Sequence, residues 1–123
     1  NFTIGQEGDQ LLLRLRTTRT GTNGMKPEMK LGSIPANKRL HVVVSYRPGQ
    51  LDCWINGKQT ISTNQVQGDF SNWDADQHLL LGDEWDGGTV RKWRGQIDRF
   101  SVYSRAMTDI EVQQRYRLAG SPK

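Results

Sequence analysis

Two closely spaced turn signals constrain the fold of this chain more than any other feature. Pro48-Gly49 fits the central positions of a type II turn, because proline presets its φ and glycine accepts a positive one. Asn56-Gly57 is typical of a type I′ turn, which joins two neighbouring antiparallel strands. The runs 40–46, 50–56 and 58–62 are therefore predicted to form three consecutive antiparallel strands.

Further strand signals recur along the chain between polar stretches. In the run 9–17, Leu13 and Leu15 alternate with Arg14 and Arg16, which predicts a strand with one solvated face. A polar loop is expected over residues 63–77. The remaining strands are predicted over residues 28–31, 79–81 and 96–103.

One short helix is predicted near the carboxyl end. Thr108 is a good N-cap, Glu111 stands three residues later as its reciprocal partner, and Asp109 suits the positive end of a helix. Gly120 is a natural stop. Many short strands and one helix favour an all-β fold, an antiparallel sandwich of two sheets.

Composition and charge exclude several classes of protein. The chain has 123 residues, of which 34% are hydrophobic and thirteen are glycine, so we expect one domain rich in turns. The net charge of +4 comes from scattered Lys and Arg, and only residues 91–94 form a basic cluster, so nucleic acid is not an expected partner. No run is apolar for the ~18 residues of a membrane span. Cys53 is alone within a strand and is expected to be a core residue.

Two motifs resemble one known family. LHVVVSYRPGQLDCWINGKQ and GQIDRFSVYSRAMTDIE resemble the hairpin and the closing signature of laminin-G-like and pentraxin-like domains of the concanavalin A-like lectin/glucanase superfamily. The resemblance runs from Phe2 to Ala119. It implies a jelly-roll β-sandwich with one short C-terminal helix.

The resemblance also implies a calcium site. In LGDEWD, Glu84 and Asp86 match the acidic calcium-binding turn of pentraxin-like domains, and Asp9 with Gln10 matches an earlier pair of ligands. Calcium takes six to eight oxygen ligands, so these residues would need water to complete its shell. A plain turn without metal is the open alternative, because Asp and Gly are common in tight turns. The run 89–92 lacks the acidic ligands of a second calcium ion.

A non-catalytic binding module for carbohydrate is the function we expect from this resemblance. Sugars stack on aromatic faces while polar groups at the rim hold their hydroxyls. The candidate ligand-binding residues are Trp73, Trp85, Trp93, Asn72 and Asp74. Trp54 alternates out of phase with Leu51 and Cys53, so we expect it on the opposite sheet face, as a binding surface or under a covering segment.

Two other functions stay open. A protein-binding adhesion or assembly domain would use the cluster 91–94 for an acidic or sulfated partner. A glycoside hydrolase needs two carboxylates ~5 Å apart in a retaining enzyme. Gly88 and Thr89 stand where the family pattern would place the second glutamate, so catalysis is not expected.

Domains of this family usually have several strands before the point where this sequence begins. We therefore expect a truncated or compacted domain, or one that receives strands from a partner chain, with association through unpaired strand edges. The family context predicts a secreted, periplasmic or cell-surface location as part of a larger protein.

Overall fold

The described part of the chain folds into two small antiparallel sheets and one helix. The computed structural model describes residues 1–82 and 93–120. Sheet order is β1-β2-β3 in one sheet and β4-β5-β6 in the other, which confirms the predicted all-β sandwich. The elements are β1 (Phe2–Glu7), β2 (Gln10–Leu15), β3 (Met29–Ser33), β4 (Val42–Arg47), β5 (Gln50–Ile55), β6 (Lys58–Thr63) and α1 (Asp109–Ala119).

The second sheet follows the turn chemistry of the sequence. Gly49 has a φ of 85°, as the second central position of a type II turn requires. Asn56 and Gly57 both have positive φ, 51° and 78°, as a type I′ turn requires. These turns place Val44 opposite Cys53 and join β5 to β6, so the predicted three-strand unit is confirmed.

Strand β1 was not predicted from the sequence. It pairs with β2 along its whole length, from Phe2 opposite Leu15 to Glu7 opposite Gln10. Its own pattern is weak, because Gly5 interrupts the alternation and none of its residues is fully buried. The apolar strand β2 provides the template, so β1 forms through pairing rather than through local preference.

The core lies between the two sheets and takes its largest share from β2. Its buried residues are Leu11, Leu13, Leu15, Leu31, Leu51, Cys53 and Val66. Cys53 is fully buried, as expected, and this burial raises the pKa of its thiol. The thiol therefore stays protonated and packs as a small apolar group.

The strands predicted over 79–81 and 96–103 are wrong for this structure. Neither segment is in a strand, and every residue from 94 to 105 is exposed. No backbone hydrogen bond joins residues 96–103 to another described part of the chain. An alternating pattern needs a neighbouring strand and a surface to cover, and neither is present beside these segments in the described residues.

Helix α1 begins with the predicted capping box. Thr108 accepts a hydrogen bond from the backbone N–H of Glu111, whose side chain accepts one from the Thr108 backbone. Gly120 caps the other end. Of the apolar positions on the helix, Val112 is fully buried, whereas Ile110 and Leu118 remain exposed. The described part of the chain contains no helix long and apolar enough to cross a membrane.

The helix start is attached to β5 through Trp54. This residue is 1% exposed, and its indole N–H donates to Asp109 Oδ1 at 2.8 Å. The sheet face that carries Trp54 is therefore covered at the helix start and is not an open binding surface. Ser45 adds a second attachment, because its hydroxyl accepts from the Met107 backbone N–H at 2.9 Å.

We expect Asp109→Ala to lower the free energy of unfolding by about 1–3 kcal/mol, because it leaves the buried indole N–H of Trp54 without an acceptor. Asp109→Asn keeps an acceptor oxygen and should lose clearly less. Urea unfolding followed by tryptophan fluorescence measures both. Equal losses in the two variants would assign the effect to the charge at the helix start instead.

We expect Glu111 to titrate at a pKa of about 2 instead of 4.5, chiefly because the Arg105 guanidinium hydrogen-bonds its carboxylate. The depressed pKa means that this contribution to stability is complete above pH 4.5 and is lost as pH falls toward 2. Arg105→Gln should move the Glu111 pKa back toward its ordinary value. Carboxyl titration by NMR measures this, and an unchanged pKa in the variant would contradict the assignment.

Candidate functional site

A loop over residues 67–74, here called the aromatic loop, is fixed to the end of β2 by hydrogen bonds at several points. Thr18 and Asp69 exchange two of them: the Thr18 N–H donates to Asp69 O at 3.0 Å, and the Asp69 N–H donates to the Thr18 hydroxyl at 3.1 Å. The Trp73 indole N–H donates to Arg16 O at 2.5 Å. The loop therefore has one conformation set by the sheet beneath it.

Two buried threonines shape the base of this loop. Thr20 Oγ1 donates to Leu15 O at 2.7 Å and accepts from the Thr17 N–H at 2.8 Å. Thr17 Oγ1 donates to Gln67 O at 2.5 Å. Gly68 has a φ of 95°, and a Cβ there would lie 2.8 Å from Thr17 Oγ1. Glycine is thus required both by the backbone conformation and by the lack of space.

Four aromatic rings follow one another across the loop. Tyr46 lies 5.3 Å from Phe70, Phe70 lies 4.2 Å from Trp73, and Trp73 lies 6.0 Å from Phe2, measured between ring centroids. All three pairs are tilted, and the Tyr46–Phe70 and Phe2–Trp73 distances lie within the range of about 4.5–7 Å that is favourable for aromatic pairs. Phe70 is 38% exposed, so this row offers an apolar ring to solvent at its centre.

A polar cleft of about 410 Å³ lies at the start of the loop. Asp69 immediately precedes the exposed ring of Phe70, so the cleft and the aromatic row are continuous in the chain. Both charge signs are present, from Arg19 and Asp69. The lining residues are Thr18, Arg19, Pro48, Gln67, Gly68 and Asp69.

Two ionisable groups hold fixed protonation states here. The Asp69 carboxylate accepts hydrogen bonds from the Ser71 hydroxyl and backbone N–H, and these hold its pKa below the ordinary value. Burial raises the pKa of Tyr46, whose hydroxyl donates to Gly68 O at 2.5 Å. At neutral pH Asp69 in the cleft is thus anionic, and Tyr46 is neutral and donates to the loop at Gly68.

Three of the predicted ligand-binding residues lie in this loop, and each is engaged in holding it. Trp73 is half-buried against the core and uses its indole N–H internally. Asn72 donates to Thr17 O at 2.9 Å. Asp74 is joined to Asn1, whose amide donates to Asp74 O at 2.8 Å. These hydrogen bonds support the loop, Asn72 Oδ1 is buried with no partner among the described residues, and the role of the three residues in ligand binding stays a prediction.

The other two predicted tryptophans are not brought to the aromatic loop by any described contact. Trp93 is half-buried against the core cluster, and its backbone N–H donates to Gly82 O at 2.8 Å. Its indole N–H is buried and finds no partner among the described residues. Trp85 lies outside the described residues, as do Arg91 and Lys92 of the basic cluster 91–94.

Half of the predicted calcium ligands are described. Asp9 is exposed at the turn between β1 and β2, and Gln10 donates to Asp9 Oδ1 at 3.3 Å. Residues 1–82 and 93–120 contain no group of three or more side chains suited to a metal ion. Glu84 and Asp86 lie outside these ranges, so the four-residue site stays a prediction.

Several residues of the cleft and aromatic row were not singled out from the sequence. Phe70 stands in the same loop as the predicted Trp73, and an apolar ring within an otherwise polar stretch was a usable signal. Arg19 and Gln67 gave none, because nothing in the chain order indicates that 16–20 and 67–74 lie together. The hydrogen bond from the Thr17 hydroxyl to Gln67 O joins these two segments.

Comparison with known proteins agrees with this architecture. The family model of the concanavalin A-like lectin/glucanases superfamily, of the laminin G type, matches residues 1–113. The chain therefore belongs to that superfamily. No curated protein sequence matches it significantly.

One solved structure is similar in fold. It is an S-layer domain-containing protein from Clostridium thermocellum, with a TM-score of 0.58 and 18% sequence identity. The match covers 87% of this chain and 51% of that one, so this chain spans about half the length of its structural neighbour. At this identity the likeness concerns the fold alone.

Proposed function

We propose that this chain is a non-catalytic binding module that recognises a carbohydrate at the aromatic loop. The observation that carries the proposal is the exposed ring of Phe70, which follows Asp69 of the polar cleft directly in the chain. Membership of a superfamily of lectins and glucanases supports it.

The aromatic part of the site suits the apolar face of a sugar ring. Phe70 is held between Tyr46 and Trp73 at 5.3 and 4.2 Å, so its ring has a supported orientation and does not need to be ordered on binding. A ring that is already in place loses less conformational entropy when it meets a ligand. Contact with the C–H surface of a sugar would cover the exposed part of the ring.

The polar part of the site suits hydroxyl groups. Arg19 offers several N–H donors, the Asp69 carboxylate is an acceptor, and the Gln67 amide provides both. A sugar hydroxyl both donates and accepts, so such a mixed lining satisfies it better than a lining of one charge sign. Sites for small molecules usually combine apolar and aromatic side chains with a small number of polar groups.

The binding role is favoured over catalysis by the sequence. In the superfamily's hydrolases a second glutamate is expected where this sequence has Gly88 and Thr89. The sequence therefore lacks the second carboxylate of that pattern. The adhesion alternative depends on the cluster 91–94, of which the structure describes only the last two residues. The site at the aromatic loop is therefore the better-supported candidate.

A cell-surface or extracellular place of action belongs to the same proposal. The family is consistent with such a module, and the fold neighbour is an S-layer domain-containing protein. A module of this size that binds polysaccharide would work as a targeting or attachment part of a larger protein. Cys53, fully buried and protonated, would be insulated from oxidants there.

We expect one or more soluble polysaccharides in a gel to retard the migration of the chain. We also expect calorimetry to show that the chain binds the corresponding oligosaccharide. Phe70→Ala should weaken that binding about tenfold, since an aromatic contact contributes about 0.5–1.5 kcal/mol beyond its buried area. Phe70→Tyr keeps the ring and should bind nearly as the unsubstituted chain does. Arg19→Ala should also weaken binding by removing a charged donor.

Met25→Ala is the matched control for these variants, because Met25 is 48% exposed and is not among the residues that line the cleft. It should bind normally. Thermal unfolding of each variant separates lost contact from lost structure. If no polysaccharide in a broad panel binds, the carbohydrate proposal fails and the adhesion alternative gains support.

If Asp9, Gln10, Glu84 and Asp86 bind calcium, we expect calcium to raise the midpoint temperature of thermal unfolding. The stabilisation should be about 2.7 kcal/mol when the free calcium concentration is a hundred times Kd. Glu84→Ala and Asp86→Ala should each abolish the shift, whereas Asp76→Ala should keep it. If the midpoint is the same in calcium and in chelator, the acidic residues form a turn that binds no calcium. Carbohydrate binding at the aromatic loop is measured separately and does not depend on this result.

A further inference from the structure

The carboxylate of Asp69 is held in one position within the cleft. The Ser71 hydroxyl and the Ser71 backbone N–H donate to Asp69 Oδ1 at 2.6 and 3.0 Å. The Asp69 backbone is fixed as well, because its N–H donates to the Thr18 hydroxyl at 3.1 Å and its carbonyl accepts from the Thr18 N–H at 3.0 Å. Both bonds from Ser71 end on the same oxygen, so they leave Oδ2 for a ligand.

The charges that line the cleft balance each other. The hydrogen bonds from Ser71 favour the ionised carboxylate and hold the pKa of Asp69 below its ordinary value, so it is an anion at neutral pH. Arg19 is the cation in the same lining. The lining of the cleft therefore has no net formal charge, although the chain as a whole has a net charge of +4.

The acceptors of the cleft need a ligand that donates hydrogen bonds. Asp69 Oδ2 is one acceptor, and Gln67 Oε1 is a second, while the Gln67 amide nitrogen donates to Asn64 O at 2.6 Å. A sugar hydroxyl donates to such oxygens and also accepts from Arg19. Bonds of this kind with charged groups are stronger than those between neutral groups.

An acidic sugar gains little in the same cleft. An ionised carboxylate or sulfate only accepts hydrogen bonds, so it has nothing to donate to Asp69 or Gln67. A negative group that approaches Arg19 also meets Asp69 within the same 410 Å³, so attraction and repulsion largely cancel. The hydration that this group loses is then not recovered.

We propose that the site at the aromatic loop selects neutral polysaccharides over acidic ones, and that Asp69 is the residue that sets this selectivity. The inference rests on the proposed function and names the class of carbohydrate that the site takes. Contact with the Phe70 ring serves charged and uncharged sugars alike, whereas the Asp69 carboxylate repels the charged ones.

Matched derivatives of one polymer test the selectivity without any variant. Hydroxyethyl and carboxymethyl derivatives of cellulose, dextran and starch carry substituents of similar size, of which only carboxymethyl is charged. The same two derivatives are made from any other polysaccharide that the chain binds. Affinity electrophoresis and calorimetry are performed at physiological ionic strength, where exposed charges more than about 8 Å apart are largely screened. We expect the chain to bind the hydroxyethyl form more tightly than the carboxymethyl form of the same backbone.

Asp69→Asn tests the residue that sets the preference. Asparagine keeps an oxygen for the bonds from Ser71 but removes the charge. The ratio of the two affinities should fall about two- to fivefold, the effect expected from one exposed charge pair. Asp76→Asn is the matched control, because it changes the net charge of the chain by the same amount and Asp76 does not line the cleft. It should leave the ratio unchanged.

The outcomes separate this inference from the proposed function. Tighter binding of the carboxymethyl form by the unsubstituted chain overturns the selectivity while carbohydrate binding itself stands. Equal changes of the ratio in folded Asp69→Asn and folded Asp76→Asn, verified by circular dichroism, overturn the role of Asp69. If neither form of any backbone binds, the proposed function fails and the selectivity fails with it.

Discussion

The buried apolar cluster shared by the two sheets is the interaction on which the other features depend. It contains the leucines of β2 at positions 11, 13 and 15 together with Leu51 and Cys53 of β5, and these residues are among the most buried of the described chain. Without this cluster each three-stranded sheet would keep one unsupported apolar face, and small isolated sheets are marginal in water. The cluster also fixes where the ends of β2 and β4 lie relative to each other.

The aromatic loop takes its position from that cluster. Residues 16–20 continue from β2, and Tyr46 belongs to β4, so packing of the two sheets brings both toward the same loop. Thr17 and Tyr46 then bond to the loop backbone at Gln67 and Gly68. The cleft is thus a product of sheet packing. A substitution in the core would be expected to disturb it without touching any lining residue.

Local chemistry explains which parts of the fold were predictable. The turns at Pro48-Gly49 and Asn56-Gly57 and the cap at Thr108 depend on nearby residues only, and each prediction was confirmed. Strand β1 and the segment 96–103 depend on whether a distant strand is available to pair, which the pattern of a segment does not report. In β1 such a partner exists and the weak pattern FTIGQE becomes a strand. In 96–103 the stronger pattern has no partner among the described residues and stays outside both sheets.

The difference between local signals and contacts distant in the chain applies also to the candidate site. The sequence singled out Asn72, Trp73 and Asp74 as candidates, because aromatic and polar residues in a turn-rich stretch are a local signal. It did not reveal that their polar groups are used internally, since Trp73 bonds to Arg16 and Asn72 to Thr17, both distant in the chain. The cleft residue Arg19 was unpredictable for the same reason.

The attachment of the aromatic loop at Thr17, Thr18 and Asn1 has a consequence for the kinetics of recognition. A loop whose shape is set during folding does not rearrange at the moment of encounter, so association would be limited by diffusion and orientation rather than by loop closure. Differences in affinity among related ligands would then arise in their dissociation rates. Under the binding role proposed above, discrimination would depend on how long a ligand stays, which would suit attachment to a repeating polymer with many equivalent sites.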